Sequence, residues 1–195
     1  MSETSASLLD RLRTAPDEES WRRLVDLYTP LVRGWLRRQA QLQSQDADDL
    51  VQEVLAVVVR RIPEFHREPR AGAFRRWLRT ITVNCLRDFW RSQRHRPVAT
   101  GDTEFQKMLD ELADPESGLS RLWDQEHDQH VTQRLLEMIR PKFEEKTWRA
   151  FQRVALDGAT PDEAAAELGV TVNAVFIAKS RVLARLRQEG QGLID

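Results

Sequence analysis

The chain has 195 residues, 41 % of them hydrophobic and 31 % charged, with a formal net charge of −1. That balance excludes an intrinsically disordered chain and leaves room for one large domain or two small ones. The single cysteine, Cys85, excludes a disulfide framework, and the longest wholly apolar run, Val54 to Val59, is far too short to cross a bilayer.

Residues 1–16 are polar with a weak helical patch at Leu8, Leu9 and Leu12, and the segment is expected to fray. The first residues lack the basic start and apolar stretch of a secretory signal, so cytoplasm is the expected compartment, with no membrane insertion. Residues 17–43 read as helix, with Trp21, Leu24, Val25, Leu27, Tyr28, Leu31, Val32, Trp35 and Leu36 on an apolar face. Pro30 removes a backbone donor and predicts a kink or break near Tyr28 and Thr29. Asp46 is placed to cap a second helix reaching about Ile62, with Asp48 and Asp49 in its first turn, where negative charge suits the helix dipole. Its centre, Val54 to Val59, is apolar all round and predicts enclosure by other helices. Pro63 ends it, and residues 63–73 read as a loop.

Residues 74–96 form the most distinctive stretch. Phe74, Trp77, Leu78, Ile81, Cys85, Leu86 and Phe89 follow steps of three and four, one apolar helical stripe with Trp77 in the core. Seven arginines, Arg75, Arg76, Arg79, Arg87, Arg91, Arg94 and Arg96, stand against one acid, Asp88. Two readings are open: the footprint of a polyanion binder, or a solvated basic face beside an acidic neighbour. Residues 98–120 then reverse the charge, six acids against Lys107, and read as an acidic linker or tether with a short helix possible inside it. An all-α protein of two small domains follows, 1–97 and 121–195, joined by 98–120.

In the second domain, helices are predicted over Leu122 to Ile139 and Phe143 to Leu156, stopped by Asp157-Gly158. Thr160-Pro161-Asp162-Glu163 is a capping box with proline at the first helical position. It opens a short helix to Leu168, then Gly169-Val170 turns, and Thr171 caps a last helix to about Gln188. Short helix, glycine turn and longer helix make a helix-turn-helix, with Ala164, Ala165, Leu168, Val170, Val175, Val182 and Leu186 as its shared core. Its last helix carries Lys179, Arg181, Arg185 and Arg187 for phosphates, while its first turn could face a major groove.

Asp48-Asp49-Leu50-Val51-Gln52-Glu53-Val54, then Phe74-Arg75-Arg76-Trp77-Leu78 with Asn84 and Asp88, then the helix-turn-helix, together resemble a bacterial RNA polymerase sigma factor. The resemblance is to the extracytoplasmic-function (ECF) subfamily of the sigma-70 family, over about residues 17–190. It implies that Asp49, Gln52 and Glu53 dock on the clamp helices of the largest catalytic subunit of core RNA polymerase. It implies a −10 promoter reader in which Arg75, Arg76, Arg79, Arg87 and Arg91 hold phosphates, Thr80 and Asn84 reach base edges, and Phe65, His66 and Arg67 supply a pocket for an unpaired base. It implies a −35 reader using Thr171, Asn173, Ile177, Ser180 and Arg181, with Lys179 on phosphate. Here the sequence departs from its relatives: Phe176-Ile177-Ala178-Lys179-Ser180 stands where a basic-Ser-basic run is common. An apolar reader there would touch thymine methyl groups or bind protein instead. The acidic linker corresponds to the segment that runs through the positively lined channel of the polymerase, or else is a solvated tether.

The implied function is promoter recognition and transcription initiation with core RNA polymerase and promoter DNA as partners, an anti-sigma factor being an optional further one. The alternative is a stand-alone helix-turn-helix regulator that binds duplex DNA without polymerase. An enzyme is not expected: His66, His95, His127 and His130 form no metal spacing with Cys85, no glycine-rich phosphate loop is present, and no cofactor or metal is implied. Asp124, Glu126, His127, Asp128 and His130 cluster at helical spacing and read as a solvated polar face.

Overall fold

The computed structural model describes residues 7–65, 72–93 and 102–194. Among these residues it is all-α, with nine α-helices and no strand: α1 (Leu8–Thr14), α2 (Glu18–Gln39), α3 (Ser44–Arg61), α4 (Ala73–Gln93), α5 (Asp102–Ala113), α6 (Gly118–Ile139), α7 (Glu145–Ala155), α8 (Pro161–Leu168) and α9 (Val172–Gly190). No described helix is long and apolar enough to cross a membrane.

Local signals fix most helix starts. The side chains of Ser7, Asp17, Ser117, Thr160 and Thr171 each accept an N–H from the first turn of the helix they precede. The second long helix departs from expectation: α3 starts at Ser44, after Gln43, and Asp46 lies inside its first turn. Three leucines overturn the expected fraying over Leu8–Thr14. Leu8, Leu9 and Leu12 of α1 are almost fully buried, and α1 packs on α2 and on the 3-10 turn Ile62–Glu64 that follows α3. Pro30 does not break α2, which runs unbroken through it. Pro30 and Asp26 are both exposed, so the carbonyl deprived of its partner can bond water. The run Val54 to Val59 is not enclosed all round: Val54, Leu55 and Val58 are buried, whereas Ala56 and Val59 face outward.

α2, α3 and α4 carry the main core, in which Tyr28, Val32, Trp35, Leu50, Val54, Phe74 and Leu86 are almost inaccessible. Within the acidic stretch, residues 102–120 are folded. Phe105, Leu109 and Leu112 make an apolar stripe on α5 that its net charge conceals, and Phe105 stacks on Trp90 of α4 with ring centroids 4.2 Å apart. α5 packs on α4, and α6 packs on α2, α4, α5 and α9. Trp123, Val131 and Leu135 of α6 belong to the same hydrophobic cluster as α2–α4, and so does Leu193 after α9. The main core therefore continues through α5 into α6.

The remaining helices are held by two small clusters. Ala150, Ala164, Ala165, Val175 and Ala178 join α7, α8 and α9, while Ile139, Trp148, Phe151 and Val182 join α6, α7 and α9. Gly158 (φ 75°) and Gly169 (φ 62°) turn the chain in the left-handed region, as their sequence positions predict.

Candidate nucleic-acid interface

α4 presents three faces. Phe74, Leu78, Ile81, Cys85 and Leu86 point into the core, and burial pushes the Cys85 thiol up to about 11, so it is a neutral core group at physiological pH. Arg76, Thr80, Asn84, Asp88 and Arg91 follow steps of four and three along the outer face, where all but the half-buried Arg76 are exposed. Thr80 donates its hydroxyl to the Arg76 carbonyl at 3.0 Å, and Arg91 pairs with Asp88. Asn84 is exposed one turn further on from Thr80. The third face carries Arg75 and Arg79 and is turned towards α6; Arg87 reaches Asp110 of α5 at 3.7 Å. Phe65 is packed edge-on against Phe74 and beside Trp77, at ring centroids of 5.7 and 5.0 Å, rather than presented to solvent. Its two expected companions, His66 and Arg67, lie outside the described residues.

The polar cluster of α6 is not a solvated face, and this corrects the sequence reading. Trp123, His127, Val131 and Leu135 recur every fourth residue and are buried, which brings Asp124 and Asp128 against α4. Trp123 meets Trp35 edge-on at 5.1 Å, and its indole N–H donates to the Arg75 carbonyl at 3.3 Å. Arg75 pairs with Asp128 and, at 3.5 Å, with Asp124; Arg79 pairs with Asp124 at 3.3 Å. Arg79 is buried, and desolvation lowers the pKa of its guanidinium, an effect that Asp124 partly offsets. Glu126 pairs with Arg38 of α2 at 2.8 Å, and His130 bonds the Leu27 carbonyl at 2.8 Å.

His127 is fully buried and sits 3.2 Å from the Tyr28 hydroxyl and 2.9 Å from Asp128. A neutral imidazole satisfies both contacts, accepting the Tyr28 O–H at Nε2 and donating Nδ1–H to the carboxylate. Burial lowers the His127 pKa despite the neighbouring carboxylate, and burial likewise holds the Tyr28 hydroxyl protonated. Burial opposes ionisation of Asp128 too, yet the bonds from His127 and Arg75 outweigh it and keep its pKa low. The one signal in the sequence is the Trp123–Val131–Leu135 spacing, which puts His127 on an apolar stripe.

The α3 face is open by contrast. Arg33 of α2 grips Asp48 with two bonds of 2.6 and 2.8 Å, fixing the start of α3, while Asp49, Gln52 and Glu53 are exposed on its outer side.

α8, the Gly169 turn and α9 have the expected bounds, but Val182 and Leu186 pack with α6 and α7 rather than with the alanines of α8. Thr160 and Glu163 make the reciprocal capping box, Gly169 turns the chain, and Thr171 caps α9 by accepting the Ala174 N–H at 3.1 Å. Thr171, Asn173, Ser180 and Arg181 are exposed, Lys179 is half-buried, and Phe176 and Ile177 expose more than half of their surface beside them. Arg181 lines a groove with Lys142, Phe143 and Arg185. Glu189, which pairs with Lys142 and Arg185, is buried; desolvation raises its pKa, but the bond from Lys142 and the charges of Lys142, Arg185 and Arg11 outweigh that and leave it lowered. Among the described residues no group of three His, Cys, Asp or Glu side chains could hold a metal.

Residues 24–96, the stretch from α2 through α4, match the family model of Sigma-70 region 2, which supports a place for the chain in the sigma-70 family. The match ends before α5. No curated protein matches the chain.

Proposed function

We propose, with the region 2 match as premise, that this chain is a sigma factor of the extracytoplasmic-function type, which binds core RNA polymerase, directs it to promoters and does no covalent chemistry. The observation that carries the reading is the outer face of α4, inside the matched segment, where Thr80 and Asn84 stand exposed between Arg76 and Arg91. Readers of base edges flanked by phosphate-binding cations are what sequence-specific DNA contact requires.

In this reading residues 1–97 dock on the clamp helices of the polymerase and read the −10 element. Asp49, Gln52 and Glu53 supply the docking face. Arg75, Arg76, Arg79, Arg87 and Arg91 hold the backbone of the opened strand, Thr80 and Asn84 read it, and Phe65, His66 and Arg67 border the pocket for an unpaired base. Residues 121–195 place α9 in the major groove of the −35 element. Asn173, Ile177, Ser180 and Arg181 face the bases there, Lys179 holds phosphate, and Thr171 can still donate its hydroxyl proton while it caps the helix. Phe176 and Ile177 suit thymine methyl groups. Residues 98–120 connect the two through the positively lined channel, and the cytoplasm is where these partners are met.

Asn84→Ala tests the reading directly. Asn84 is exposed, so the fold should be unaffected; with core polymerase, preference among −10 variants should relax at one position by about 1–3 kcal/mol. An unchanged preference would remove Asn84 as a reader. Tight binding of the isolated chain to a duplex operator would favour a stand-alone regulator instead.

A further inference from the structure

Beside the outer face of α9 lies an open groove. Arg181, Ala184, Arg185 and Gln188 line it from α9, Lys142 and Phe143 line it from the turn between α6 and α7, and it holds about 470 Å³. That volume is in the range of small-ligand sites. Three cations line the groove and no acid does. Two of the three are fixed by a group outside the lining. Lys142 and Arg185 both donate to one oxygen of Glu189, at 3.1 and 2.8 Å, and Glu189 is only 5 % exposed. Arg185 also donates to Gln188 at 3.1 Å, while its Nε–H is buried with no acceptor among the described residues. A buried guanidinium N–H without an acceptor is costly until something supplies one. Arg181 is exposed and makes no ion pair among the described residues.

We propose that this groove binds a free nucleoside polyphosphate, its phosphates on Lys142, Arg181 and Arg185 and its base against Phe143. The inference stands apart from the sigma-factor reading and uses neither polymerase nor promoter. Two guanidinium forks converging with an ammonium suit adjacent phosphate groups, which concentrate several charges and many acceptor oxygens in one small volume. Glu189 holds two of those cations together and offsets part of their repulsion, so the site is formed before the ligand arrives. A duplex backbone spreads its phosphates along a line and keeps its bases stacked inside, which would leave the half-buried Phe143 ring unused. A nucleotide brings a planar base of its own to that ring, and the small Ala184 leaves room for it.

The test titrates the full chain with inorganic pyrophosphate and with ATP, both without divalent metal, by isothermal calorimetry at fixed salt, and with a mixed-sequence duplex by fluorescence anisotropy. ATP should bind one to one below about 1 mM, the upper end of ordinary cellular ligand affinities, and more tightly than pyrophosphate. Arg181→Gln and Lys142→Gln should each weaken both probes about tenfold or more, the loss expected for a hydrogen bond to a charged group. Phe143→Leu should weaken ATP about fivefold and leave pyrophosphate unchanged, the signature of base stacking rather than of a damaged fold. Arg149→Gln on α7, exposed and outside the groove, removes the same charge and should match wild type. Circular dichroism reads helix content; should Lys142→Gln lose it, Arg181→Gln, whose side chain makes no bond among the described residues, decides alone. The site is refuted if neither probe saturates, or if Arg149→Gln weakens ATP as much as Arg181→Gln does. ATP binding that equals pyrophosphate binding and ignores Phe143→Leu would overturn the nucleotide assignment. If the groove variants weaken only the duplex, the groove holds DNA backbone and the proposal falls. These titrations contain no polymerase, so their failure leaves the sigma-factor reading standing, and a chain that directs no transcription can still bind ATP here.

Discussion

The two halves of this chain reach their folds by different means. α2, α3, α4 and α6 are held by large side chains from distant parts of the sequence, Trp35 on Trp123 and Tyr28 on Phe74, in one cluster. The junction of α7, α8 and α9 is held by small residues and backbone signals: four alanines and Val175 in one cluster, a capping box, and glycines in the left-handed region. A fold specified by local signals reads directly from sequence, whereas one specified by tertiary packing must find its partners first. The same contrast governs charge. The basic run on α4 meets an acidic neighbour and is half spoken for, while Arg181 on α9 is exposed.

The largest expected effect strikes the packed half. Phe74→Ala removes a fully buried ring that touches Tyr28, Phe65 and Trp77, and should cost about 3–5 kcal/mol in a urea titration. A cost below about 1.5 kcal/mol, the range of volume-conserving swaps, would mean that the cluster is not a close-packed core.

A pH titration sharpens the contrast further. The folded pKa of His127 lies below its ordinary value of 6.5, so the stability it contributes is complete above that pH and is lost as pH falls toward the folded value. One proton limits the slope to about 1.4 kcal/mol per pH unit. Of the groups bonded to the ring, Asp128 is held below its ordinary pKa and Tyr28 is raised well above its own, so His127→Gln should flatten the slope below pH 6.5. A slope that survives the substitution would place the titrating group elsewhere.

The smallest effects belong to the locally specified half. Thr160→Ala breaks the capping box and Gly169→Ala forces a left-handed alanine; each should cost about 1 kcal/mol, read as a loss of thermal stability. Losses of the size expected for Phe74→Ala would show that these caps support more than α8.

What was legible in the sequence follows the same division. Thr160, Glu163, Gly169 and Thr171 announce their roles within a few residues, and the stripe from Phe74 to Leu86 announces the buried face of α4. The positions of Asp124, His127 and Asp128 could not be read that way, because a carboxylate one turn from a histidine looks solvated until the arginines opposite are known. α5 was hidden for a related reason: six acids between residues 98 and 120 drew attention from Phe105, Leu109 and Leu112, which bury the segment. Pro30 misled in the other direction, since its cost falls away when the orphaned carbonyl faces water.

The most direct measurement of the central claim is run-off transcription with purified core RNA polymerase across a library of genomic promoters. The account predicts that adding the chain produces discrete new start sites sharing a −10 motif, and that Asn84→Ala changes which members are used. No start sites beyond those of core enzyme alone, with the chain folded and present in excess, would contradict it.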